Sequence, residues 1–420
     1  MAKKKEPVIA GIDIGSTKAG VMVGKVSEAG ALEFIAAASA ECRGLRKGIV
    51  VNLEEVVACL KRLMPEVEAQ AGAPVESAYV GLSGAHVRGF NNRGVVPIKG
   101  RNHEITVDDV RRVVDAARAV TIPADKEIIH VLPQSYCVDG QDGISDPLGM
   151  SGSRLEVNVH IVTASVMATQ NIVNAVNRCG IMVSKLVLQQ LAAAEAVLTP
   201  DERELGCLLV DIGGGTTDVV VYYRGMVWHS VVLPIGGDNF TRDLAVGLRT
   251  PLNEAERLKR EFGCAIASAV DKEEYLEVSG VGGRASRPIS RAGACEIIQP
   301  RAEEILHFVR EQIEKLGLQK QLTAGAVLTG GGSLLQGLVD LTEQTLEMPA
   351  RRGATPGEVS LGALSTEWLD PKYATSVGLV RHGYQALLHP QRNGLNGHQT
   401  AKAAGSMLGG FRNWWRNMLY

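Results

Sequence analysis

The stretch DIGGGTTD, residues 211–218, ends an apolar run in three glycines and two threonines. Far upstream, DIGSTK at 13–18 follows the similar apolar lead-in VIAGI. Each reads as strand, glycine-rich turn, strand: Val8–Ile14 with Lys18–Val26, and 208–212 with 218–223. Such a turn lets backbone N–H groups approach phosphate oxygens that a Cβ would hold away. The aspartate leading each turn is repelled by phosphate, but it can hold the water shell of a Mg²⁺ that bridges phosphates. One turn of this kind is weak evidence, whereas two form a pair of jaws. Asp13, Gly15, Ser16, Thr17 and Lys18 are expected on one side of a nucleotide. Asp211, Gly213, Gly214, Gly215, Thr216 and Thr217 are expected on the other, with Asp13 and Asp211 holding the metal through water.

Two further elements suit the rest of a nucleotide. LTGGGSLLQG, 328–337, joins a strand end to a helix start through Gly330, Gly331, Gly332 and Ser333. That turn brings backbone close to a ribose, a base, or phosphate at a helix N-terminus. LPIGGDNFTRDLA, 233–245, contributes Gly236 and Gly237, and is followed by NEAERLKREFG, 253–263. There Glu256 and Lys259 stand three apart on one helix face, placed to hold ribose hydroxyls and adenine. Other phosphate and nucleophile motifs are missing. There is no Gly-x-Gly-x-x-Gly after the first strand and no Gly-x-x-x-x-Gly-Lys-Ser/Thr, and GLSGA at 81–85 lacks the last glycine of a nucleophile elbow.

The 420 residues allow two core-forming domains with smaller insertions. A net charge of −2 gives no global basic surface that argues for nucleic acid, so no nucleic-acid partner is expected. The seven cysteines have no Cys-x-x-Cys spacing, which fits buried, reduced thiols, and no metal-ligand spacing of His and Cys is seen. The N-terminus lacks a signal-peptide core, and the uncharged stretches 157–177 and 321–339 are too polar or glycine-rich for membrane spans. Apolar spacing predicts a helix from Leu53 to Ala71, and TVDDVRRVVDAARAV predicts another opened by a Thr-x-x-Asp cap. RLEVNVHIVTA alternates like a strand and leads into a helix over 165–179. Residues 84–162 read as a small α/β insertion and 227–301 as a helix-rich one. This leaves 1–83 with 163–200 as a first lobe and 201–226 with 302–390 as a second, followed by a flexible linker over 391–405.

In this order the motifs resemble the nucleotide-binding core shared by actin, heat-shock chaperone ATPases and sugar kinases. Residues 13–18, 211–218 and 328–337 match that superfamily's two phosphate motifs and its adenosine motif, and 236–240 with 256–259 match two further elements. The resemblance implies an α/β, actin-like, two-lobed duplicated core that binds ATP and Mg²⁺. DGISDPLGMSGSRLEV, YVGLSGAHVRG, ERELGCLLVDIGGGTTDVVVYYRG and LDPKYATSVGLV narrow it further. They resemble the FtsA family of bacterial cell-division proteins, with its relocated subdomain, called 1C, at 84–162. That implies self-association into filaments and slow turnover at most. On the strand–helix crossing KLVLQQLAAAEAVL, Gln190 falls near the water-positioning place, and glutamine orients water without taking its proton. The resemblance also puts the C-terminal peptide of the tubulin-like division-ring protein on the second insertion, where Arg284, Arg287, Arg291 and Arg301 suit an acidic segment.

The C-terminal segment, 406–420, carries a separate signal. At about 100° per residue, Met407, Leu408, Phe411, Trp414, Trp415, Met418 and Leu419 share one arc, flanked by Arg412 and Arg416. This is the pattern of an amphipathic helix lying on anionic lipid. Ordering the segment offsets most of what its burial contributes, so one tail binds weakly and many tails on a polymer bind stably. The leading expectation is an ATP-gated polymer on the cytoplasmic face of the inner membrane at the division septum. It would tie the division ring to the membrane and recruit later divisome proteins. An actin-like pilus-assembly adaptor and a small-molecule kinase of the same superfamily are the alternatives.

Overall fold

The architecture was followed in a computed structural model, which describes residues 7–99, 102–356 and 359–388. The first lobe opens with a meander of β1 (Val8–Ile14), β2 (Lys18–Val26) and β3 (Leu32–Glu41), antiparallel throughout. A short hairpin, β4 (Leu45–Arg46) and β5 (Ile49–Val50), leads to α1 (Leu53–Ala71) and β6 (Ser77–Leu82). The helix occupies the span its apolar spacing predicts: Asn52 accepts the Glu55 N–H at one end, and Gly72, at φ 67°, stops it at the other.

The chain then leaves the lobe for β7 (Arg88–Pro97), α2 (Val107–Arg118), β8 (Lys126–Val138), β9 (Gln141–Ile144) and β10 (Arg154–Ser165). These strands form a separate sheet in the order β7-β10-β8-β9, and α2 packs on it through Val113, Val114 and Ala117. Helix α2 begins with the expected box, Thr106 capping the Asp109 N–H while Asp109 accepts from the Thr106 N–H. The first lobe is completed by α3 (Val166–Asn177), β11 (Met182–Leu188) and α4 (Gln189–Val197).

The second lobe repeats the plan with α5 (Pro200–Leu205), β12 (Cys207–Ile212), β13 (Thr217–Tyr223) and β14 (Met226–Leu233). A helix-rich excursion follows: α6 (Gly237–Gly247), α7 (Leu252–Phe262), β15 (Tyr275–Val278), β16 (Arg287–Ser290) and α8 (Arg291–Leu316). The chain returns with β17 (Ala326–Thr329), α9 (Leu338–Leu346), β18 (Ala350–Arg352) and α10 (Ala374–Leu388).

The two five-stranded sheets correspond strand for strand, in the orders β11-β6-β1-β2-β3 and β18-β17-β12-β13-β14. In each, the first strand of the meander pairs in parallel with the strand on its other side, β6 or β17. Because β1 and β12 lie mid-sheet with both faces covered, they are apolar nearly throughout. Their C-terminal ends therefore deliver Asp13 and Asp211 to equivalent points.

Pairing redraws two of the expected boundaries. Residues 227–233 belong to β14, which hydrogen-bonds along β13, so they stay with the second sheet rather than opening the insertion. Helix α8 runs unbroken across 301, so the insertion and the lobe share one helix. All seven cysteines are free, and all but Cys179 are buried. Among the described residues no helix is long and apolar enough to cross a membrane.

Candidate functional site

The two aspartate-led turns close in the same way. The Gly15 N–H donates to the Lys18 carbonyl and the Gly213 N–H to the Thr216 carbonyl, each at 2.9 Å. The turns press against each other, since a Cβ added to Gly215 would stand 2.5 Å from Ser16 Oγ. The start of α6 is tied to the second turn: the Gly237 and Asp238 N–H groups donate to the Gly213 and Gly214 carbonyls, each at 2.8 Å. Between the lobes lies a cleft of about 1340 Å³. It is lined by residues of both turns, by Gly237, Glu256 and Lys259, and by Gly330, Gly331 and Gly332.

Three buried carboxylates converge there. Burial pushes Asp13 up to about 6, with Lys18 opposing the rise. Asp211 is pushed up to about 7 by burial and by the neighbouring Asp218 and Asp13. Asp218 rises to about 6 through burial, although Ser83 and Thr216 donate hydrogen bonds to it. Lys18 is driven down to about 8 by its own burial, lies 4.0 Å from the centre of the Tyr373 ring, and donates to the Lys372 carbonyl. Such a set is costly unless positive charge compensates it, and one lysine is too little for three carboxylates. A hydrated divalent cation fits, because oxygen-only ligands suit Mg²⁺. Asp13 and Asp211 would hold it, and a bound ion would keep the carboxylates ionised.

On the opposite wall, Lys259 Nζ donates to Glu256 Oε2 at 2.7 Å, Thr241 Oγ1 at 3.0 Å and the Gly237 carbonyl at 3.2 Å. Burial works against ionisation of Glu256, but the charge and hydrogen bond of Lys259 outweigh it and hold the carboxyl below its ordinary value. Gly330 turns at φ 79°, and any Cβ there would lie 2.2 Å from Asp211 Oδ1. The turn after β17 thus fits directly beneath the second aspartate.

Four expected site residues do not reach the cleft. Thr217 is fully buried and donates to the Ile235 carbonyl at 2.9 Å, and Ser333 is fully buried and donates to the Gly330 carbonyl at 2.7 Å. Gly236 lies behind the turn, where its Cβ would sit 2.7 Å from the Gly213 carbonyl. These three brace the loops. Gln190 points into the core, with neither amide atom partnered among the described residues. Its neighbour Gln189 lines the cleft and donates to Asp13 Oδ1 at 2.9 Å. One step along a helix turns a side chain by about 100°, so of the two adjacent glutamines only Gln189 faces the cleft. Sequence reasoning also passed over Asp218, Ser83 and Thr375, which donates to Asp211 Oδ2 at 3.2 Å. The second aspartate of DIGGGTTD was the available signal for Asp218.

The four arginines expected to meet a partner peptide divide. Arg301 holds Asp243 through Nε at 2.6 Å and Nη2 at 3.1 Å, joining α8 to α6, and it also pairs with Glu304. Arg291 donates to Glu274, Gln336 and the Phe262 carbonyl. Both are engaged within the chain. Arg284 is exposed, and Arg287, also exposed, spends one N–H on the Leu248 carbonyl. Leu408, Phe411, Arg412, Trp414, Trp415, Arg416, Met418 and Leu419, with the linker before them, lie outside the described residues.

Two matching sheets closing on a cleft, each contributing an aspartate-led turn, define an actin-like fold. Solved structures share it. The type IV pilus biogenesis complex PilM–PilN superposes with a TM-score of 0.65 at 19% identity, over 90% of this chain and 98% of that one. MreB5 of Spiroplasma citri bound to ADP gives 0.55 at 13% identity, over 92% and 98%. At those identities the likeness shows the fold alone. Sequence goes further: residues 208–378 match the family described as "Cell division protein FtsA", and 84–163 match the "SHS2 domain inserted in FTSA". The cell division protein FtsA of Pseudomonas aeruginosa is 43% identical over 90% of this chain and 89% of its own length. That of Escherichia coli K12 is 39% identical over 91% of each, and that of Neisseria meningitidis serogroup B is 36% identical over 99% of each. The chain belongs to the FtsA family of cell-division proteins.

Proposed function

We propose that this protein is an ATP-gated, actin-like adaptor of bacterial cell division. It binds Mg·ATP between its lobes, polymerises on the cytoplasmic face of the inner membrane at the septum, ties the tubulin-like division ring to that membrane and recruits later divisome proteins. The observation that carries this reading is the convergence of Asp13 and Asp211, from duplicated sheets, on one cleft in a member of the FtsA family. The phosphates lie against the N–H groups of 15–17 and 213–216, Mg²⁺ between the aspartates, and the nucleoside between Glu256–Lys259 and the 330–332 turn. Structures of MreB5 bound to ADP and to AMPPNP show that the shared fold accepts such ligands, which supports ATP here.

Turnover is slow at most. Gln189, whose amide is already spent on Asp13, orients water but accepts no proton. Nucleotide then acts as a conformational signal. The C-terminal peptide of the ring protein, acidic by this reading, meets Arg284 and Arg287, which are exposed while Arg291 and Arg301 are engaged within the chain. Residues 406–420 supply a weak lipid anchor that becomes strong when many copies are linked.

The test is co-sedimentation of the full chain with vesicles containing anionic lipid, with and without Mg·ATP, beside a Trp414→Ala/Trp415→Ala variant. ATP-dependent pelleting of the parent and loss of pelleting in the variant is the expected result. Equal pelleting of the two proteins would remove the tail from the mechanism. Pelleting indifferent to ATP would remove the nucleotide.

A further inference from the structure

We propose that the loop over residues 43–48 senses the terminal phosphate of the nucleotide and passes that information to the inserted subdomain. The proposal rests on the ATP reading above. Arg46 and Lys47 line the cleft on the side of the two phosphate turns. The loop is seated against both: the Gly48 N–H donates to Ser16 Oγ at 3.4 Å, and a Cβ on Gly215 would lie 3.2 Å from the Lys47 nitrogen. Lys47 and Gly48 adopt consecutive left-handed conformations, at φ 52° and 74°. A lysine is held there only when the surroundings over-determine it.

The charges point the same way. Arg43 is paired with Glu41, whereas no ion pair among the described residues involves Arg46 or Lys47, and both side chains are exposed. Two uncommitted cations therefore flank turns built to receive phosphate, opposite a cluster of carboxylates. A triphosphate offers them an additional charged group that a diphosphate lacks, and hydrogen bonds to charged groups are the strong ones.

The far side of the loop touches the point where the inserted subdomain leaves the first lobe. The Ala85 N–H donates to the Lys47 carbonyl at 3.4 Å. A Cβ on Gly48 would lie 2.4 Å from Gly84 Cα and 2.6 Å from the Ser83 carbonyl, so no slack separates the two backbones. A shift of Arg46 and Lys47 toward a phosphate is thereby imposed on 83–85. The same junction is tethered to the second lobe by Ser83 and Asp218. Loop and tether together link cleft closure to the orientation of residues 84–163.

The experiment compares the full chain with an Arg46→Gln/Lys47→Gln variant and a charge-conserving Arg46→Lys/Lys47→Arg variant. Affinities for Mg·ATP and Mg·ADP are measured, with hydrogen–deuterium exchange over 84–99 at saturating nucleotide. The Gln variant is expected to lose about tenfold or more in ATP affinity and less than about threefold in ADP affinity. Exchange over 84–99 should differ between ATP and ADP in the parent and in the charge-conserving variant, and should not differ in the Gln variant. Equal losses for both nucleotides, no loss for either, or exchange that is the same with ATP and ADP in the parent overturns the proposal. A parent that binds neither nucleotide overturns instead the reading on which it rests.

Discussion

The Ser83 hydroxyl donates a hydrogen bond to Asp218 from one lobe to the other, between residues 135 apart in the chain. Ser83 is the last residue before the inserted subdomain, and Asp218 begins the outward path of the second turn's hairpin. Both are buried, so the bond is made away from competing water. Ser83→Ala leaves Asp218 with Thr216 as its hydroxyl donor, and the variant should lose about 1–3 kcal/mol of stability. Urea denaturation without nucleotide checks this. An unchanged midpoint and slope would show that the bond contributes nothing.

Gly330→Ala should damage both the fold and the site. The residue needs φ 79°, and its added methyl would press on Asp211 Oδ1 and on the Ile212 carbonyl, 2.6 Å away. Backbone strain and overpacking together cost about 2–4 kcal/mol. Because the displaced atoms belong to the aspartate proposed to hold the metal, Mg·ATP affinity should fall at least about tenfold in whatever protein remains folded. A fluorescent ATP analogue, titrated at a temperature where the variant is native by circular dichroism, measures that loss. Binding equal to that of the parent would separate the 330–332 turn from the site.

The two glutamines at the start of α4 should behave oppositely. Gln189→Ala removes a donor from Asp13 and should alter ATP affinity or turnover, with little effect on stability. Gln190→Met replaces a fully buried, unpartnered amide with an apolar side chain of similar shape, and should raise stability by about 1 kcal/mol. Nucleotide titrations and denaturant midpoints on both variants test the pair. A loss of turnover in Gln190→Met with none in Gln189→Ala would reverse the assignment made here.

Acid should loosen the seam between the inserted subdomain and the second sheet. His160 on β10 spans it, with Nδ1 2.6 Å from Asn91 Oδ1 and Nε2 2.8 Å from Ser230 Oγ on β14. Burial, reinforced by His229 on β14, pushes His160 down to about 3, and the nearby His130 on β8 is also held neutral by burial. The unfolded chain therefore takes up a proton on this residue near pH 6.5 while the folded chain does not. The stability that His160 confers is complete above pH 6.5 and is lost as pH falls toward 3, at about 1.4 kcal/mol per pH unit. His160→Gln should remove one proton from the acid slope of the urea-unfolding free energy between pH 6.5 and 5. An identical slope in the variant would exclude His160 as the source.

Much of this was legible in the residues themselves. Both hairpins, the 53–71 helix and the Thr106–Asp109 box are local, set by glycine turns, apolar spacing and side chains reaching three residues along. The errors share a cause. Thr217 and Ser333 belong to glycine-rich turns, but which side of a turn faces a cleft depends on what packs behind it. Arg291 and Arg301 read as a basic patch because Glu274 and Asp243 come close only when α8 packs on its neighbours. The boundary at 226 missed β14 because strand pairing is not a property of composition.

What the chain's own order of residues determined was the repeated strand–turn–strand with its leading aspartate, since glycine content and hydrophobic alternation act within a few residues. What only the tertiary structure decided was which side chains share the cleft: Gln189 rather than Gln190, Asp218 beside Ser83, and Arg46 and Lys47 against both turns. Burial, facing and charge compensation are relations between segments far apart in sequence, and they come into existence only when the two sheets close on each other.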